Sequence, residues 1–106
     1  MDRHGIGRKM EHEATHYLAD LGYTNFYQPP RGKFTSQDIF GCLDLLAVSP
    51  EGCVEGFQIC PSRPGFVEER VVKIAAWLES SHARGFPAWV LSYKRLKDGN
   101  IVWTWH

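Results

Sequence analysis

The chain has no long apolar run, no surplus of either charge, no paired-cysteine motif and no internal repeat. No uninterrupted apolar stretch approaches the roughly 20 residues that a spanning helix needs, so no membrane partner is expected. Met1 to Met10 is charged and glycine-containing, without the apolar segment of a signal peptide, and the expected location is cytoplasmic. Lysine and arginine together number 12, matched by 12 aspartates and glutamates. That balance excludes a nucleic-acid binder held by net charge alone, although a local basic patch beside an acidic cleft fits within it. The cysteines are three, Cys42, Cys53 and Cys60, and none forms a Cys-x-x-Cys pair. They read as reduced thiols and not as a disulfide framework. No low-complexity tract or linker divides the 106 residues, which predicts a single domain with one modest core.

What is present is globular: 43% of residues are hydrophobic and 13% aromatic, enough to build that core. From Arg8 to Leu21, Met10, Ala14, Tyr17, Leu18 and Leu21 recur at helical spacing, and Gly22 is a stop signal. Asn25 to Gln28 reads as a short strand, and Arg31 to Gly41 as a polar loop. Leu43 to Val48 and Val54 to Cys60 read as two strands joined by a turn at Ser49-Pro50-Glu51-Gly52. A second helix is predicted from Phe66 to Arg84, with Val67, Val71, Ile74, Ala75 and Leu78 as its core stripe. Strands at Ala88–Tyr93 and Ile101–Trp105 complete the order α-β-β-β-α-β-β. The expected fold is α/β, a mixed central sheet flanked by helices. Trp89 is expected in the core, and Trp103 and Trp105, sharing a strand face, are expected as core, an exposed platform or, the preferred reading, a dimer contact.

Asp44 is the residue that demands an explanation. It interrupts Leu43-Asp44-Leu45-Leu46-Ala47-Val48, where an unpaired charge would be costly. Such a carboxylate needs a cation, a dense set of hydrogen bonds, or the exposed end of its strand. Gln58 and Cys60, two apart on the answering strand, leave one face together, while Phe57 and Ile59 take the other. A hairpin sets Asp44 beside Gln58. Asp44, the Gln58 amide oxygen and the Ile59 carbonyl would suit a hard divalent cation. Asp38, six residues before Asp44, is either a further ligand or a solvated loop residue.

Glu11 on the first helix, Asp44 in Asp-Leu-Leu-Ala-Val and Gln58 on the next strand form a pattern that resembles the PD-(D/E)XK nuclease superfamily. Within it, the chain is most similar to small Holliday-junction-resolvase-like and phage-type members. The lead-in Gly5 to Lys9, the Leu21-Gly22-Tyr23 ending, Arg70, Lys73 and the Trp-rich final strand belong to the same likeness. It implies a metal-dependent DNA endonuclease using Mg²⁺ or Mn²⁺, acting on duplex or branched DNA as a homodimer. Glu11, Asp44 and Gln58 would be its metal residues. The resemblance prefers Glu11 to Glu13, which helical angles alone do not separate. Cys60 stands where the family carries lysine, and a neutral thiol cannot supply that charge. Lys73 or Arg70 from the next helix would be the migrated cation; without one, the chain would bind DNA and not cut it. Arg31, Lys33 and Ser36 on one side, and Arg63 and Arg70 on the other, are the candidate phosphate contacts.

His12-Glu13-Ala14-Thr15-His16 also matches H-E-x-x-H, the zinc-hydrolase signature. The apolar stripe centred between Met10 and Ala14 turns both histidines toward solvent, and no motif marks a third ligand. A polar helix face is the simpler expectation.

Overall fold

The computed structural model describes the backbone of residues 3–29 and 39–106 and the side chains of residues 9–29 and 39–106. Its elements are α1 (Arg3–Asp20), β1 (Thr24–Tyr27), β2 (Leu45–Val48), β3 (Val54–Pro61), α2 (Phe66–Ser80), β4 (Ala88–Arg95) and β5 (Ile101–Trp105). The strands form one sheet in chain order, β1 to β5. β1, β2 and β3 pair antiparallel, and β5 pairs antiparallel with β4. β3 and β4 run parallel, joined through α2, as the helical crossover between them requires. The expected α/β order and mixed sheet are both present.

Side-chain alternation along β3 and β4 divides the core between two faces. Phe57 and Leu91 pack with Leu45 and Ala47 against Ala14 and Leu18 of α1. Cys60 and Val90 pack with Cys42 and Leu43 against Ile74 of α2. The β2–β3 turn closes where Gly52, at φ +88°, donates its N–H to the Ser49 carbonyl at 2.9 Å. A side chain there would meet the left-handed region that L-residues rarely adopt.

Several boundaries and orientations differ from expectation. α1 begins at Arg3, so the glycines at positions 5 and 7 lie within the helix; glycine weakens a helix without breaking it. β2 starts at Leu45 rather than Leu43, because Leu43 instead bridges back to Ile39. α2 ends at Ser80, before His82 at φ +54°. Its inward stripe is Val67, Ile74, Trp77 and Leu78, while Val71 and Ala75 are exposed. The helix is rotated to bury the Trp77 indole, which stacks on Phe40 and meets Phe86 edge-on. Burying that ring removes more apolar surface than burying Val71 would. The same rotation brings Arg70 inward.

Trp89 is not in the core. It lies at the rim, 36% exposed, donating its indole N–H to Glu55 at 3.0 Å. Trp103 and Trp105 are engaged within the chain. Tyr17 of α1 stacks on Trp103 at 5.4 Å and accepts the Trp105 indole N–H at 2.9 Å. Both indole rings are half-buried, packed between α1 and the sheet.

Gly56 is where the α2 face is tightest. A Cβ there would lie 2.5 Å from Leu43 Cδ1 and 3.2 Å from Phe86 Cε1. Leu43 is fully buried and has nowhere to swing. Gly56→Ala is expected to destabilise the fold by about 1–3 kcal/mol, read as a lower urea midpoint. An unchanged midpoint would contradict this packing.

Candidate active site

The site is built where β2 parts from β3. Leu45 pairs with Phe57 in the ladder, and Asp44, one residue earlier, donates its N–H to the Phe57 carbonyl at 2.8 Å. The next donor on β3, the Ile59 N–H, is taken by Asp44 Oδ2 at 2.8 Å. Bonds to residues 57 and 59 place Asp44 beside Gln58. The carboxylate is 6% exposed, so the chain satisfies a buried charge with backbone donors, as it must.

Gln58 is equally buried, and its Oε1 has no hydrogen-bond partner. An unsatisfied buried oxygen costs about 1–3 kcal/mol and calls for a reason. Cys60, on the same face two residues on, is 1% exposed. Burial pushes its thiol pKa up, Arg70 pulls it down, and Asp44 raises it. Asp44, Cys60 and Arg70 are therefore electrostatic neighbours. The thiol stays neutral and gives no cation.

A guanidinium comes to this face from α2. Arg70 is half-buried, its guanidinium stacked over the Phe66 ring at 5.2 Å. Its Nε is buried without a partner, and Nη1 makes a long 3.4 Å bond to the Phe66 carbonyl. Lys73 is exposed, and Arg70 is the α2 cation whose charge acts on Cys60.

Glu11 is buried, 6% exposed, whereas Glu13 is half-exposed. Glu11 therefore shares the inward side of α1 with Ala14 and Leu18. Arg95 Nη2 at the end of β4 reaches Met10 Sδ at 3.7 Å. Glu11 thus lies on the α1 side of the sheet. Among the described residues no three His, Cys, Asp or Glu side chains converge as a metal cluster.

Tyr93 and Arg95 gave no signal in the sequence. Tyr93 pairs with Pro61 across the parallel ladder. Burial and then Cys60 raise its phenol pKa, against the pull of Arg63, Arg95 and Arg70. A cavity of about 350 Å³ beside it is lined by Ser62, Arg63, Lys94 and Arg95. Arg63 and Arg70, expected as phosphate contacts, therefore share a basic wall with Arg95. Arg31, Lys33, Ser36 and Asp38 lie outside the described residues. His12 and His16 are exposed on the far side of α1, as the angular reading expected.

Comparison with known proteins adds no relative. No family model, curated protein or solved structure matches the chain.

The buried thiols and phenols make two measurable statements. Cys53 is exposed while Cys42 and Cys60 are buried, so one cysteine should alkylate rapidly in the folded protein and two only on unfolding. Cys60, Tyr23 and Tyr93 all have raised pKa values and hold their protons more tightly folded than unfolded. Their stabilisation is complete at neutral pH and is lost as pH rises through the raised values. The urea midpoint should therefore fall from about pH 9 upward; a midpoint rising there would contradict the burial of these groups.

Proposed function

We propose that the chain is a metal-dependent endodeoxyribonuclease that hydrolyses phosphodiester bonds of duplex or branched DNA. The observation that carries the reading is the pair of unsatisfied buried polar atoms on one sheet face, Gln58 Oε1 and Arg70 Nε. An amide oxygen beside a buried carboxylate suits a hard cation, and an inward guanidinium suits the anionic phosphate that such a cation accompanies. The all-oxygen character of Asp44 and Gln58 fits Mg²⁺ or Mn²⁺ better than zinc. Asp44 and Gln58 would hold the cation, with Glu11 contributing from α1.

Bound there, the cation would supply Lewis-acid stabilisation of phosphate charge and lower the pKa of an attacking water. The rest falls to the chain. Arg70 takes the place of the family's lysine, neutralising charge that develops on the phosphate oxygens. Arg63, Arg95 and Lys94 hold the flanking DNA backbone. Two neutral groups, Gln58 and Cys60, replace a carboxylate and a lysine, which loses one negative and one positive charge together. Activity is expected to prefer Mn²⁺. A homodimer on branched DNA belongs to the same reading. If Arg70 does not serve as the cation, the fold binds DNA without cutting it.

The test is cleavage of labelled linear, single-stranded and four-way-junction DNA with Mn²⁺ or Mg²⁺. Asp44→Asn keeps a side-chain acceptor for the Ile59 N–H, so it should fold and lose at least a hundredfold in rate. Arg70→Ala should lose a comparable factor, and Lys73→Ala little. Equal cutting by wild type and Asp44→Asn would contradict the site.

Arg63→Ala combined with Arg95→Ala should weaken DNA binding and flatten its salt dependence by about two in log–log slope. Fluorescence anisotropy at several salt concentrations would measure it. An unaltered slope would remove these arginines from the interface.

A further inference from the structure

The outer face of α1 carries a second arrangement, independent of the nuclease reading. His12 and His16 are one helical turn apart, where side chains are neighbours. Their Nε2 atoms lie 3.1 Å from one another, with ring centroids 4.6 Å apart and planes at 89°. In the free protein one ring N–H can donate to the other nitrogen. The same closeness of two imidazole nitrogens is also near that of two cis ligands of one cation. With metal–nitrogen distances of about 2.0–2.1 Å and a tetrahedral angle, two such nitrogens stand about 3.3–3.4 Å apart. Turning both ring lone pairs outward, releasing the shared hydrogen bond and widening the pair by a few tenths of an ångström would convert it to a chelate.

We propose that His12 and His16 form a surface binding site for a late first-row divalent cation, zinc being the probe of choice. Paired imidazoles select this class over Mg²⁺ or Ca²⁺, which prefer oxygen. His16 also lines a cavity of about 400 Å³ with Glu13, Tyr17, Asp20 and Asn100. The carboxylates of Glu13 and Asp20 add negative charge beside the pair. Among the described residues no third His, Cys, Asp or Glu completes a cluster, and the two imidazoles are the proposed protein ligands. The site is therefore a chelating clip across one turn of α1 and not a hydrolytic zinc centre. Its helix turn bears Ala14 on the core side, and a bound cation would hold that turn against unwinding.

The experiment is calorimetric titration of Zn²⁺ into the full chain in a Cys53→Ser background, since Cys53 is an exposed thiol. One saturating site is expected, weakened at least tenfold in His12→Ala and again in His16→Ala. His82→Ala, altering a distant exposed histidine, should leave the affinity unchanged. Zinc should raise the unfolding temperature of the parent and not of either α1 variant. Both variants should retain the parent's behaviour toward DNA, because neither histidine is placed in the nuclease site. Absence of saturable binding, or binding that survives in both variants, would overturn the proposal.

Discussion

The hydrogen bond from the Ile59 N–H to the Asp44 carboxylate is the contact on which the site depends. It lies where β2 ends and the chain turns away toward Ile39, so β3 loses its antiparallel neighbour while still buried. Without Asp44 the Ile59 donor would be stranded in the interior, at a cost of about 1–3 kcal/mol. With it, the ladder is completed by a charge. One side chain thereby closes the sheet edge and brings a carboxylate beside Gln58.

The two faces of the sheet then diverge in character. Under α1 the packing is apolar and aromatic: Leu18, Phe57 and Leu91, with Tyr17 against Trp103 and Trp105. Under α2 the interior begins apolar at Leu43, Ile74 and Val90 and ends polar at Gln58, Cys60 and Arg70. The rotation of α2 that buries Trp77 also carries Arg70 inward. A packing preference at one end of the helix thus delivers a cation at the other. The basic groups Arg63 and Arg95 gather beyond it, where β3 and β4 end near the start of α2.

Much of this was legible in the residues. Asp44 stood out because a carboxylate in an apolar strand has few permitted surroundings, and the pairing with Gln58 followed from a hairpin marked by Pro50 and Gly52. The alternation of Phe57 and Ile59 against Gln58 and Cys60 needed only the period of a strand. The place of Arg70 was harder. Val71 and Ala75 look like better core residues than Arg70 and Trp77, and only the size of the indole reverses the choice. Trp89 was misread because an indole's burial depends on what its N–H can reach, here Glu55 from another strand. Tyr93 and Arg95 carry no local motif; their place comes from the parallel register of β4 on β3. The separation of Glu11 from Glu13 likewise depends on how α1 sits on the sheet.

The most direct test of the central claim is Mn²⁺ binding to wild type and Gln58→Glu, followed by electron paramagnetic resonance in a His12→Ala, His16→Ala background. If Gln58 Oε1 is a cation ligand beside Asp44, introducing a carboxylate there should tighten Mn²⁺ binding by about tenfold, the equivalent of about 1.4 kcal/mol. Gln58→Leu, which removes the oxygen, should weaken it. Equal affinity in all three proteins would mean that the buried oxygen serves no cation, and that the proposed metal site is wrong.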